Sequence, residues 1–210
     1  MKISLVEYGA GNLPSVEAAL ARQGVQTERA ATPEAIRAAE RLILPGVGHF
    51  GQLMRTLRAQ GLADPVGEVI ARGTPFLGIC LGLQALFAGS AEAPGEPGLG
   101  IFPGQVAALP ATDKLPHMGW NQLRLVRDSV LLEGLPSQSY FYFAHSYAAM
   151  DAADVATALC DRGESCVEPF VAVVERRNVF AVQFHPEKSG GSGARVLANF
   201  VAFSSAGARA

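Results

Sequence analysis

Apolar positions in the first half of the chain switch repeatedly between two periods. Lys2–Tyr8 is a short apolar run that predicts a strand, and Leu13–Gln23 then spaces Leu13, Val16, Ala19 and Leu20 along one helix face, with Gly24 as its stop. Val25–Arg29 reads as a second strand. Thr32 and Pro33 supply the cap and first residue of a short helix, and Arg41–Leu44 forms a third strand that ends at Pro45. Helical spacing returns over Gly51–Ala59 and Pro65–Ala71. Thr74–Ile79 is short and apolar, as a central strand should be, and Leu81–Ala88 resumes the helical period. Strands alternating with helices predict a parallel sheet covered by helices, with ligands outside the carboxyl ends of the strands.

From Pro103 onward the pattern shortens and the long helices disappear. Gln122–Val126, Tyr140–Ser146 and Asp154–Leu159 read as strands, Phe170–Glu175 and Val179–Phe184 as a hairpin, and Ala194–Phe203 as a closing helix. The Pro- and Gly-rich stretch Gly89–Gly100 is a loop, too short to divide two domains. The expected fold is therefore α/β: a mostly parallel central sheet flanked by helices, with a β-rich C-terminal half, in a single domain spanning 1–210.

Composition narrows the function classes. The chain has 210 residues, 49% of them hydrophobic and 17% charged, and a net charge of −2, which gives no electrostatic case for nucleic acid or membrane partners. No apolar run approaches the roughly 18–20 residues of a membrane span, and the chain enters a strand at once without a signal-like core, so a cytoplasmic protein is expected. Of the three cysteines, Cys160 and Cys166 lack metal-ligand spacing and read as ordinary reduced thiols; no metal or organic cofactor is expected.

The remaining cysteine is different. Cys80 falls between the Thr74–Ile79 strand and the following helix, bracketed by Gly78 and Gly82. A thiol there faces the unpaired N–H groups and dipole of a helix start, which favour the nucleophilic thiolate, and the glycines allow a sharp, strained turn. The arrangement is that of a nucleophile elbow with Cys in the Ser position. The bland alternative is one more small buried residue. Downstream, His185-Pro186-Glu187 ends an apolar strand, and an extended continuation projects His185 and Glu187 to the same side. That suits a base and its orienter: His185 takes the Cys80 proton and Glu187 fixes the imidazole tautomer. Alone, His-Pro-Glu is a weak signal.

These stretches resemble the class I (triad) glutamine amidotransferases, whose fold is flavodoxin-like. The likeness rests on Gly78-Ile-Cys80-Leu-Gly82-Leu-Gln84 and Phe184-His185-Pro186-Glu187. Within the family, Tyr8-Gly-Ala-Gly-Asn12, Pro45-Gly-Val-Gly48, Pro116-His-Met-Gly-Trp120-Asn121, Tyr142-Phe-Ala-His145-Ser146-Tyr147 and Lys188-Ser189 are similar to the glutaminase subunits of imidazole glycerol phosphate synthases. Glu7, Ala10 and His49 depart from the subgroup's usual residues. The resemblance implies a Cys80–His185–Glu187 triad that hydrolyses L-glutamine, with an oxyanion hole from the backbone of Val47, Gly48 and Leu81 whose Gly46-Val47 peptide must reorient. It also implies glutamine contacts from Gly48, Gln84, His145, Ser146 and Tyr147.

For the partner, the resemblance implies a heterodimer with a cyclase subunit built as a (β/α)8 barrel, contacted by Tyr8, Asn12, Trp120, Asn121, Tyr142 and Lys188. Alternatives stand beside several of these assignments. Gln84 also reads as a solvent-facing helix residue, His145 as a packed, satisfied histidine, and Trp120, which Gly119 would display on a tight bend, as core. Gly9-Ala-Gly11 lacks the third glycine and the acidic residue of a dinucleotide fingerprint. Rival functions are a glutaminase subunit of anthranilate or para-aminobenzoate synthesis, a cysteine hydrolase of the same fold, and a non-catalytic module. Pro116–Asn121, Leu81 after the nucleophile and the intact triad, respectively, argue against them.

Overall fold

The computed structural model describes residues 2–110, 115–150, 154–161 and 168–204. Cys166 lies outside them. In chain order the first half contains β1 (Lys2–Val6), α1 (Leu13–Ala21), β2 (Gln26–Ala30), α2 (Pro33–Arg37), β3 (Leu42–Gly46), α3 (Phe50–Ala59), α4 (Ala63–Ala71), β4 (Phe76–Cys80) and α5 (Leu81–Gln84). The second half adds β5 (Gly89–Ser90), β6 (Gln105–Ala108), β7 (His117–Gln122), β8 (Arg124–Leu125), β9 (Tyr140–His145), β10 (Tyr147–Ala149), β11 (Ala156–Cys160), β12 (Phe170–Arg176), β13 (Val179–Val182), a single 3-10 turn (Pro186–Lys188) and α6 (Gly190–Ala202).

The main sheet has the order β2-β1-β3-β4-β13-β12-β11-β8. From β2 to β13 neighbouring strands are parallel, and from β13 to β8 they are antiparallel, so the β12–β13 hairpin joins a parallel half to an antiparallel edge. The central strands β3, β4 and β13 are buried throughout, which is why their sequences read as apolar runs without alternation. One core packs Leu42, Leu44 and Phe76 against Ile36, Met54, Leu57 and Val69 of α2–α4; the other packs Ile43, Leu77 and Ile79 against Val16 and Leu20 of α1 and Leu197 and Phe200 of α6. Each fully buried side chain of this kind contributes roughly 1.5–3 kcal/mol relative to exposure.

Two expectations need correction. The helix after Cys80 ends at Gln84 rather than Ala88: the N–H groups of Leu86 and Phe87 donate to carbonyls three residues back, those of Leu83 and Gln84, and the Ala88 N–H leaves the helix for the Gly104 carbonyl. A Cβ on Gly98 would lie 1.9 Å from the Phe87 carbonyl oxygen, so this loop closes on backbone. Gly119 forms no tight bend. It sits mid-strand in β7 opposite Phe143 of β9, and ordinary strand alternation turns Trp120 outward. His49, one of the departures, has a local use: its Nδ1 accepts from the Gly51 N–H at 3.1 Å and caps α3.

Candidate active site

Strand order builds the site. β4 lies between β3 and β13, with Gly46 in register with Cys80 and Val182 with Ile79, so the carboxyl ends of three adjacent strands deliver the Pro45–Gly48 loop, the thiol and the His185 segment side by side. Cys80 has φ 53° and ψ −106°, a backbone conformation essentially reserved for glycine. Backbone contact explains the glycines around it. A Cβ on Gly78 would meet the Gly82 carbonyl oxygen at 2.6 Å, one on Gly82 the Leu44 oxygen at 1.9 Å, and one on Gly46 the Leu81 Cβ at 2.7 Å. The turn is locked from three sides.

The base approaches from β13. His185 does not continue extended toward Glu187 as the sequence suggested; the chain turns at Pro186–Lys188, and the turn itself carries Glu187 Oε1 to 2.8 Å from His185 Nδ1. Both side chains are almost fully buried. Burial is the strongest single influence on His185 and pulls its pKa down, but hydrogen bonds to Cys80 and Glu187 and their charges together outweigh it and push it up to about 10. The segment is pinned to β9: His185 N–H donates to the Tyr142 carbonyl at 2.9 Å, Ser189 Oγ donates to the His185 carbonyl at 2.7 Å, and Tyr142 N–H donates to Ser189 Oγ at 3.0 Å.

A pocket of about 210 Å3 opens over the thiol and gathers Val47, Gly48, Leu81, Gln84, His145, Ser146, Tyr147 and His185 with Cys80. Every residue expected to bind glutamine or form the oxyanion hole therefore lines one cavity with the nucleophile. Gln84 is buried, not solvent-facing, and its Nε2 donates to the Tyr147 carbonyl at 2.8 Å and to Gln183 Oε1 at 3.2 Å. His145 is both packed and pocket-lining, with Nδ1 2.9 Å from the Tyr147 carbonyl. Sequence reasoning missed Glu92, Pro116 and Ala144, which also line the cavity. Glu92 Oε2 accepts from the Phe50 N–H at 2.7 Å. It lies in the stretch read only as a loop, where nothing in the spacing marks it.

Of the residues assigned to a partner, three form one surface. Trp120 is 52% exposed and stands opposite Tyr142, their rings 5.9 Å apart, and Lys188 Nζ lies 5.8 Å from the Tyr142 ring centre. Exposed Met118 and Tyr140 extend this face and were not foreseen. Asn121 alternates away from Trp120, and its Nδ2 lies 2.9 Å from His117 Nε2. Asn12 is half-buried at the start of α1, with its carbonyl accepting from Ser15 and Val16. Tyr8 departs most from its expected role. It is buried, its hydroxyl donates to the Pro45 carbonyl at 3.2 Å, and burial pushes its pKa up to about 12. Tyr8 thus holds the end of β3 at Pro45, and its side chain is turned inward.

Among the described residues no group of His, Cys, Asp and Glu has a metal-binding arrangement, and no helix is long and apolar enough to cross a membrane.

The glutamine amidotransferase class-I family model matches residues 4–203. The chain is 48% identical over 199 residues to the imidazole glycerol phosphate synthase subunit HisH of Methanothermobacter thermautotrophicus, covering 95% of this chain and 97% of that protein. It is 47% identical over 201 residues to the same-named subunit of Thermococcus kodakarensis, covering 94% and 98%. Among solved structures, PurLQS from Thermotoga maritima superposes with a TM-score of 0.73 at 19% identity, covering 95% of this chain and 97% of that one. A crystal structure of a glutamine amidotransferase gives 0.66 at 22%, covering 94% and 96%. These two share the fold. The elbow, the buried His–Glu pair and the end-to-end match to the family have one source: this chain belongs to the class I glutamine amidotransferases.

Proposed function

We propose that the chain is the glutaminase subunit of an imidazole glycerol phosphate synthase, working in the cytoplasm as a heterodimer with a (β/α)8-barrel cyclase. The observation that carries the chemistry is the strained Cys80 elbow sharing one 210 Å3 pocket with His185, itself paired to buried Glu187. Two relatives nearly half identical over their whole length, named as subunits of that synthase, carry the assignment to its pathway step.

Cys80 Sγ attacks the side-chain carbonyl carbon of L-glutamine, and the thiol proton resides on His185. The tetrahedral oxyanion meets backbone N–H groups of Leu81 and the Val47–Gly48 loop once that loop has reoriented. His185 gives its proton to the leaving nitrogen, the C–N bond breaks, ammonia departs, and a thioester remains. Water, deprotonated by His185, then attacks the thioester; glutamate leaves and the thiol is restored. Among the described residues Glu92 is the one carboxylate lining the pocket, suited to the substrate's α-ammonium, while Gln84, His145, Ser146 and Tyr147 frame the rest. Ammonia passes to the cyclase, which forms imidazole glycerol phosphate and an aminoimidazole carboxamide ribotide in histidine biosynthesis.

Tyr8's hold on the Pro45 carbonyl, at the foot of the loop that must reorient, fits a subunit that is nearly silent alone. A ligand-bound partner then shifts the population toward the competent hole. The test is glutamine hydrolysis by the purified chain with and without a cyclase partner and its ribonucleotide ligand. Cys80→Ala should abolish glutamine-dependent synthesis and spare ammonia-dependent synthesis. Loss of both activities, or labelling of Cys160 rather than Cys80 by a glutamine-derived diazoketone, overturns the assignment.

A further inference from the structure

Gln183 is the single polar residue between Val179 and Phe184, and it is completely buried. Its main chain is fixed by a 2.9 Å hydrogen bond from its N–H to the Ala172 carbonyl. Its side chain reaches the reacting atom: Nε2 lies 3.5 Å from Cys80 Sγ. The direction of that contact follows from a backbone group. The Tyr147 carbonyl can only accept, so the Gln84 group 2.8 Å from it is the amide NH2. The same NH2 lies 3.2 Å from Gln183, so the Gln183 atom facing it is the acceptor Oε1, which leaves the Gln183 NH2 turned to the sulfur. A peptide carbonyl thus sets the polarity of a relay from Tyr147 through Gln84 and Gln183 to Sγ.

The short helix makes this contact more consequential. With only the four residues Leu81–Gln84, α5 presents far less dipole to the thiol than the sequence argument assumed. A buried N–H aimed at sulfur favours the anionic form from a side of the thiol that the pocket does not reach, since Gln183 is fully buried and does not line it.

We propose that Gln183 is a further catalytic residue, whose amide N–H stabilises the negative charge on Cys80 Sγ before attack and again when the thioester is hydrolysed. The inference rests on the glutaminase reading for its role in turnover, but not for its effect on the thiol.

The test uses the full chain with its cyclase partner and reads two quantities. The rate of Cys80 alkylation by iodoacetamide against pH, with peptide mapping to separate the other cysteines, requires no glutamine. In Gln183→Leu its rising limb should move to higher pH by roughly one unit. Steady-state hydrolysis should show kcat lower by about tenfold to a hundredfold, with KM changed far less and ammonia-dependent synthesis unaltered. Gln183→Asn withdraws the amide by one methylene while remaining polar and should produce the same alkaline movement; it decides the matter if Gln183→Leu does not fold. An unchanged alkylation profile in a folded variant overturns the proposal, including where thermal stability drops, because that outcome makes Gln183 structural. If the wild-type complex does not hydrolyse glutamine, the glutaminase reading fails, and the alkylation profile still judges Gln183.

Discussion

The two walls of the pocket hold their reacting groups by different means. On the Cys80 wall, backbone meets backbone: Gly46, Gly78 and Gly82 sit where any Cβ would collide, and the elbow has one shape. On the His185 wall, hydrogen bonds do the holding. His185 is tied through Ser189 and the Tyr142 main chain to β9, whose other contacts include the exposed Trp120 face. The first wall is rigid because it is sterically over-determined. The second is held by contacts of about 1 kcal/mol each and lies beside the exposed Trp120 face, so it yields more readily than the first.

The largest effect should come from breaking the steric wall. Gly82→Ala places a Cβ 1.9 Å from the Leu44 carbonyl oxygen, with backbone on both sides. Its cost should exceed the roughly 1–3 kcal/mol of ordinary overpacking, seen as insoluble expression or a steep fall in the urea midpoint. A variant with native stability would mean that the elbow yields. The hydrogen-bonded wall should reveal itself through pH. The His185 pKa, raised from 6.5 to about 10 in the fold, implies stabilisation that is full below about 6.5 and lost as pH rises through about 10. The stability gap between wild type and His185→Gln should therefore shrink from pH 6 to pH 10.5, and a gap that widens with pH would contradict the pairing.

Two smaller perturbations separate the exposed face from the wall behind it. Trp120→Ala should weaken association with the cyclase subunit by more than about 2 kcal/mol and leave the isolated chain folded, because the side chain is 52% exposed. Unfolding of the isolated variant would make Trp120 a core residue after all. Ser189→Ala strands the half-buried Tyr142 N–H and loosens the His185 carbonyl, at a cost of about 1–3 kcal/mol. It should lower kcat more than Trp120→Ala does in the saturated complex. Equal kcat values would argue that Ser189 serves the fold only.

The same division decides what was legible in the sequence. The alternation of strands and helices, the hairpin and the elbow follow from local periods and from glycines at fixed offsets; the strands of the first half appear within a few residues of their expected positions, whereas β5, inside the expected Gly89–Gly100 loop, and β6 were not expected, and the stretch after Pro116 pairs differently. Residues joined only by the fold were invisible. Glu92 reaches the pocket because its loop folds back over α3, and Ser189 matters because β9 passes beside it. Gln183 left a trace, a lone amide in an apolar run, but its target is 103 residues away. The end of α5 differs from expectation because the Ala88 N–H bonds to the distant Gly104 carbonyl instead of the Gln84 carbonyl, a tertiary choice that helical propensity does not encode.

Strain at the nucleophile gives the finest measure of the rigid wall. Cys80→Ala and Cys80→Gly both remove the sulfur and its hydrogen bonds, so their difference isolates the Cβ held at φ 53° and ψ −106°. That conformation costs a non-glycine residue about 1–3 kcal/mol, and glycine avoids it. Against this, glycine gains freedom in the unfolded chain, which costs the fold about 0.4–1 kcal/mol. The net expectation is that Cys80→Gly is more stable than Cys80→Ala by about 1 kcal/mol in urea denaturation, a reversal of the usual order for the two residues. If alanine proves the more stable, the elbow has relaxed out of its strained geometry, and the wall owes its shape to the bracketing glycines without any strain stored at residue 80.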